Sequence, residues 1–152
     1  MKPTIYLAGP ISGLTWDQAL TWREQTVIHL AKHFHILDPL KPQRGKMTNR
    51  MDIITGPSRE ATDLPIHFTG SGLVTSDEFY VRKSDFLFVN FLYSSDQISA
   101  GTLWEMGLAW GLNKFIVTVI QPENIHDNVF VRRRSHIFVP TYGEAIEYFI
   151  NL

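Results

Sequence analysis

Two nearly continuous apolar runs, FLFVNF at 86–91 and KFIVTVI at 114–120, leave few folds open to this chain. A strand with one face in water alternates apolar and polar residues; these two do not, so both faces must be covered. Between them lies GTLWEMGLAWGL, a segment of helical length. Apolar strand, helix, apolar strand is the pattern of a parallel sheet layered between helices. Three shorter runs extend the series. TIYLAG (4–9) is a strand broken by the turn GPISG, HILDP (35–39) is stopped by Pro39, and HIFVP (136–140) precedes a closing helix in YGEAIEYFINL. The expected fold is α/β, a single doubly wound domain over residues 1–152 with five parallel strands and flanking helices.

The remaining segments are read from spacing and composition. Between Thr15 and Phe34, Trp16, Leu20, Val27, Leu30 and Ala31 fall at helical spacing. Residues 41–76 carry Pro42, Gly45, Gly56, Pro57, Pro65, Gly70 and Gly72 with little periodicity, and are expected to form a long functional loop or insertion. SDEFYVRKSD (76–85) reads as a short helix capped by Ser76 or Asp77. The chain has no cysteine, so disulfides and thiolate metal sites are excluded. A net charge of -1 gives no basic excess for a nucleic-acid polymer. The run Arg132-Arg133-Arg134 reads as a solvated loop. No apolar run reaches the ~18 residues of a membrane span. MKPTIYLAGP enters a strand without a cleavage-site pattern, so a cytoplasmic protein is expected.

In open parallel sheets, sites lie at the carboxyl ends of the strands. GPISG, the turn after DPL, the region after FLFVNF and the loop after VTVI should meet there. Six histidines at 29, 33, 35, 67, 126 and 136 include no HExxH pattern; His29 and His33 read as surface residues, and neither a metal nor a cofactor is expected. Ser12 and Ser99 match no hydrolase signature, and GxSxG is absent. GPISG is either a tight strand-to-helix turn or a cradle of free backbone N–H groups for an anion.

The carboxylates say more. Glu105 stands among Leu103, Trp104, Met106 and Leu108, where an unpaired charge is costly. Near a helix start the dipole favours its anion, which would leave it able to attack carbon. Asp77 is either a plain N-cap or a proton donor. Asp85 reads as a structural turn residue. Two carboxylates converging on an apolar pocket suggest glycosyl chemistry: a nucleophile for C1 of a sugar and an acid for the leaving group.

IYLAGPISG, the Asp in TSDEFYVRKSDFLFVNF, and SAGTLWEMGLAWGLNKFIV together resemble the nucleoside 2-deoxyribosyltransferase family, in the family's motif order and over most of the chain. The Gly-Thr-x-x-Glu-x-Gly pattern around Glu105 is the most specific part. The resemblance implies a flavodoxin-like fold. It implies that Glu105 is the nucleophile of a covalent 2-deoxyribosyl-enzyme, that Asp77 protonates the leaving base and activates the incoming one, and that Tyr6 helps hold Glu105. Gly9 and Pro10 would line the sugar side of the cleft, with Ile11, Ser12, Ser99 and Gly101 completing the substrate contacts. It further implies a symmetric homo-oligomer with shared sites, for which Asn128 and Phe130 are the expected cross-subunit wall. Phe130 reads equally well as a packing residue.

The likeness breaks at one position. Well-known members carry an Asp that contacts the sugar six residues before the nucleophile; here that residue is Ser99. Relatives that hydrolyse nucleoside 5′-monophosphates use a serine at about this spot to bind phosphate, and a hydroxyl tolerates a phosphate where a carboxylate repels it. Ser99 equally suits a helix N-cap or ST-turn. The expected activity is deoxyribosyl transfer between a 2′-deoxynucleoside and a free nucleobase. The alternatives are hydrolysis of a 5′-monophosphate, and a nucleotide-binding module without turnover. Trp16 either covers the base or packs in the core. Arg44 and Lys46 either approach a substrate anion or are solvated.

Overall fold

The computed structural model describes residues 1–55 and 69–152. Its strands are β1 (Thr4–Ala8), β2 (His35–Leu37), β3 (Phe86–Asn90), β4 (Phe115–Val119) and β5 (Ile137–Val139). They form one all-parallel sheet in the order β2-β1-β3-β4-β5. That is the flavodoxin-like order, which reverses direction beside β1 and opens a crevice between the carboxyl ends of β1 and β3. The helices are α1 (Trp16–Leu30), α2 (Gly70–Lys83), α3 (Ala100–Gly111), α4 (Val129–Arg134) and α5 (Tyr142–Ile150).

The period-two geometry of the strands divides the core into two layers. Ile5, Leu7, Phe88, Val117 and Val119 face α1 and α5, packing on Trp22, Leu30, Ala145, Ile146 and Phe149. Tyr6, Ala8, Leu87, Val89 and Ile116 face the other way, onto Val81 of α2 and Met106 and Ala109 of α3. Beyond their first residues, β3 and β4 are buried on both faces, as their apolar runs require. Among the described residues no helix is long and apolar enough to cross a membrane.

Four expectations are corrected. In α1 the inward face carries Arg23 and Thr26, while Val27 is 38% exposed and Ala31 lies outside the helix as its exposed C-cap. Arg23 and Thr26 can occupy the buried face because each is bonded there: Thr26 Oγ1 donates to the Trp22 carbonyl, and Arg23 donates to the Ala19 and Gly9 carbonyls. Trp16 is 6% exposed and packs with Ile11, Leu20, Leu40 and Ile54, so it is a core residue.

The segment 41–76 is not one loop. Lys41–Lys46 form a 3-10 helix, and residues 50–54 are tied to the turn after β1. Gly13 N–H donates to the Ile54 carbonyl (2.7 Å), Ile54 N–H to Leu14 (2.8 Å) and Trp16 N–H to Asp52 (3.0 Å). The α2 helix begins at Gly70, with Thr69 Oγ1 accepting from the Gly72 N–H. Gly70 and Gly72 hid that start, because glycine is a poor helix former. Gly56, Pro57 and Pro65, part of the expected loop, and His67 lie outside the described residues. The arginine run is the last turn of α4 rather than a loop; its cations sit at the carboxyl end, where the helix dipole favours them.

Candidate active site

A cleft of about 180 Å³ opens at the carboxyl ends of β1 and β3. Four pieces of chain line it: Gly9 to Ser12 after β1, Asp77 of α2, Ser95 and Gln97 to Ser99 before α3, and Ala100 to Thr102 with Glu105 in α3. Eight of the residues singled out in the sequence therefore share one cavity: Glu105, Asp77, Gly9, Pro10, Ile11, Ser12, Ser99 and Gly101.

Tyr6 joins them from below. Its side chain leaves β1 on the α3 side of the sheet and is fully buried. The phenol donates to Glu105 Oε1 at 2.6 Å. A bond this short to a carboxylate is charge-assisted. Burial, then the negative charges of Glu105 and Asp77, hold the Tyr6 phenol well above its ordinary pKa. It is therefore a permanent donor across the working pH range. Glu105 is only 7% exposed.

Glu105 does not sit in the first turn of its helix. It is the sixth residue of α3, and the first turn of that helix holds no acid. The dipole effect fades within the first turn. The hydrogen bond that Tyr6 donates is one local feature that favours the anion. Asp77 is likewise no N-cap: it is the eighth residue of α2, one face of which it turns to the cleft. Asp85 fits its structural reading, its carboxylate accepting from the Thr4 N–H at 2.8 Å.

The turn after β1 approaches β3 closely. A Cβ at Gly9 would lie 2.7 Å from the Asn90 carbonyl oxygen and 3.2 Å from Trp22, so only glycine fits. Beneath it, the fully buried Arg23 donates to the Gly9 carbonyl at 3.2 Å and lies 3.7 Å from Asp38. Asp38 also binds Arg44 at 2.9 Å, so Arg44 joins this internal pair. Ser99 occupies the N-cap position of α3 but caps no N–H; its hydroxyl pairs with Thr102 Oγ1 at 2.9 Å.

Asn128 and Phe130 are not in the cleft. They line a separate apolar groove with Leu103, Met106, Gly107, Val131 and Arg134. Asn128 caps α4, accepting from the Phe130 and Val131 N–H groups, and Phe130 is 75% exposed. His29 and His33 are exposed. Among the described residues no group of three His, Asp or Glu is placed to hold a metal.

Besides Ser95, Gln97, Ile98 and Ala100 of the lining, three further contributors escaped the sequence reading. Thr102 lies within the motif but was passed over. Arg23 was detectable as a lone cation on the inward face of an apolar helix. His126 carried no spacing signal: it is fully buried in the loop after β4 and accepts the Ser99 N–H on Nε2 at 2.8 Å.

The fold is similar to that of a conserved protein from Enterococcus faecalis V583 (TM-score 0.68, 16% identity, 99% of each chain). It is similar to that of a CMP N-glycosidase from Clostridium botulinum (TM-score 0.57, 14% identity, 97% of this chain and 95% of that one). It also resembles a molybdenum cofactor binding protein from Rippkaea orientalis (TM-score 0.56, 18% identity, 99% and 96%). No curated protein is significantly similar in sequence. The model of one family, described as nucleoside 2-deoxyribosyltransferase, matches residues 5–139, a span that holds the whole cleft from Tyr6 to Glu105, and the chain belongs to that family.

Proposed function

We propose that this protein transfers 2-deoxyribosyl groups between nucleobases through a covalent intermediate on Glu105. The observation that carries the reading is a buried carboxylate, held by a 2.6 Å bond from Tyr6, in the same cleft as a second carboxylate, Asp77. In the first step Glu105 attacks C1′ of a 2′-deoxynucleoside and the C1′–N bond breaks. The electron pair leaves with the base nitrogen, which takes a proton from Asp77. In the second, a free base attacks C1′, Asp77 takes the proton back, and the ester to Glu105 breaks. Positioning of this kind supplies up to ~7–11 kcal/mol of the barrier. Gly9, Pro10 and Ile11 on one wall and Ser99, Gly101 and Thr102 on the other would hold the sugar. Asn128 and Phe130, outside the cleft of their own chain, would close the cleft of a neighbour in a symmetric homo-oligomer.

One observation favours a second reading. Ser12, Ser95, Ser99 and Thr102 bring four hydroxyls to the cleft. Hydroxyls suit a 5′-phosphate, and with it hydrolysis of a nucleoside 5′-monophosphate to free base. One protein of similar fold is a CMP N-glycosidase, and cleavage of that N-glycosidic bond is chemistry of this kind.

The test is to mix the protein with deoxyinosine and free adenine. Deoxyadenosine should form, and Glu105→Ala should abolish it. Free base released only from a 5′-monophosphate, with no transfer, would replace the first reading by the second.

A further inference from the structure

We infer that His126, a residue outside the cleft, is the positioning residue that sets the Ser99 turn at the start of α3, and that only its neutral imidazole can do so. The hydrogen bonds fix its tautomer from both ends. Asn124 Nδ2 donates to the Phe91 carbonyl at 2.8 Å, which orients that amide and leaves Oδ1 as an acceptor. Asn124 Oδ1 receives the His126 backbone N–H at 2.9 Å and stands 3.0 Å from Nδ1, so Nδ1 carries the proton. Nε2 then holds a lone pair, and the Ser99 N–H donates to it at 2.8 Å. The ring is fixed in place by stacking on Phe91, with centroids 4.4 Å apart and planes 17° from parallel.

The consequence reaches the cleft through Ser99. Its N–H is occupied by His126, and its hydroxyl is turned to Thr102 Oγ1, three residues before Glu105 in α3. A proton on Nε2 would set two donors face to face at 2.8 Å and place a cation at a helix amino end, which the dipole disfavours. Among the described residues, the side chains in ring or hydrogen-bond contact with it are Phe91 and Ser94 from the β3–α3 connection and Asn124 from its own loop, all uncharged. The adjacent Asp127 is held by Arg132 at 2.6 and 2.7 Å. Burial pushes the His126 imidazole below its ordinary pKa, which keeps the acceptor form dominant at neutral pH.

The bearing of His126 on catalysis rests on the glycosyl-transfer reading; its hold on Ser99 does not. The experiment therefore has two arms on the intact chain. In amide and imidazole NMR, His126 should be the Nδ1–H tautomer, and the Ser99 amide should shift with the same midpoint as the His126 ring, below the ordinary imidazole value. His126→Gln, which keeps an acceptor of similar reach but does not titrate, should abolish that shift. In kinetics, His126→Phe keeps the ring stack but leaves the Ser99 N–H unpaired, and should raise KM for the deoxynucleoside about tenfold, with kcat less affected. His126→Gln should restore KM and remove the imidazole's contribution to the acid limb, leaving only that of the Glu105 carboxylate. A Ser99 amide indifferent to His126, or a folded His126→Phe with wild-type KM and pH profile, would overturn the inference. A wild-type protein without turnover, but with Ser99 tracking His126, would sink the glycosyl-transfer reading and leave this one standing.

Discussion

Replacing Tyr6 by Phe removes one oxygen from a fully buried ring and nothing else. The ring still fills its place between β1 and α3, beside Tyr80 at 6.1 Å, so packing is conserved. The loss is the 2.6 Å donor to Glu105 Oε1. A hydrogen bond to a charged group is worth about 1.5–3 kcal/mol. At about 1.36 kcal/mol per decade, kcat/KM should fall by roughly one to two decades if the bond orients the carboxylate for attack. The acid limb of the profile should also move to higher pH, since a carboxylate stripped of a donor holds its proton more tightly. Chromatographic initial rates of transfer between about pH 5 and 9 measure both effects, with thermal unfolding as a check on the fold. A folded Tyr6→Phe with kcat/KM within about twofold of wild type, and an unmoved acid limb, would refute the role given to this bond, because a loss of 1.5 kcal/mol or more cannot hide in that range.

The motif glycines separate packing from binding. Gly9→Ala drives a methyl into the Asn90 carbonyl and should cost about 1–3 kcal/mol, read as a Tm lower by roughly 2–12 °C. At Gly101 a methyl meets nothing within 4 Å, so Gly101→Ala should keep its Tm and lose activity; loss of stability there would contradict the steric reading. The raised Tyr6 pKa sets an alkaline limit to stability. Its contribution is fully present below about pH 10, where the phenol is protonated in both states, and is lost as pH rises from there toward the folded value. Urea midpoints should thus fall more steeply above pH ~10 in wild type than in Tyr6→Phe, and equal slopes would refute it. Phe130→Asp, at a 75% exposed position, should lower the mass measured by light scattering together with the transfer rate; an unchanged mass would remove Phe130 from the subunit contact.

The sheet was legible because burial on both faces writes itself into consecutive residues: FLFVNF and KFIVTVI admit little else. The pairing of Tyr6 with Glu105 was legible only through the family motifs, since 99 residues separate the two and no local pattern links them. Asp77 was found for an incomplete reason. Its helix was read as starting at Ser76 because Gly70 and Gly72 mask the true first turn, yet the same residue faces the cleft from mid-helix. Arg23 and His126 were missed because each owes its place to bonds with distant backbone, the Gly9 carbonyl and the Ser99 N–H, which no periodicity records. The partner of Arg44 was hidden for the opposite reason: a basic loop residue suggests solvent or an anion outside, and Asp38 is inside.

Everything proposed for catalysis turns on which atom holds the sugar between the two steps. The direct measurement is to incubate the protein with a 2′-deoxynucleoside, quench in acid within the first turnovers, and map the peptides by mass spectrometry. A deoxyribosyl increment should appear on the peptide containing Glu105, vanish in Glu105→Ala, and discharge when free base is added before the quench. An increment on another residue, or base release undiminished in Glu105→Ala, would contradict the assignment of Glu105 as the nucleophile.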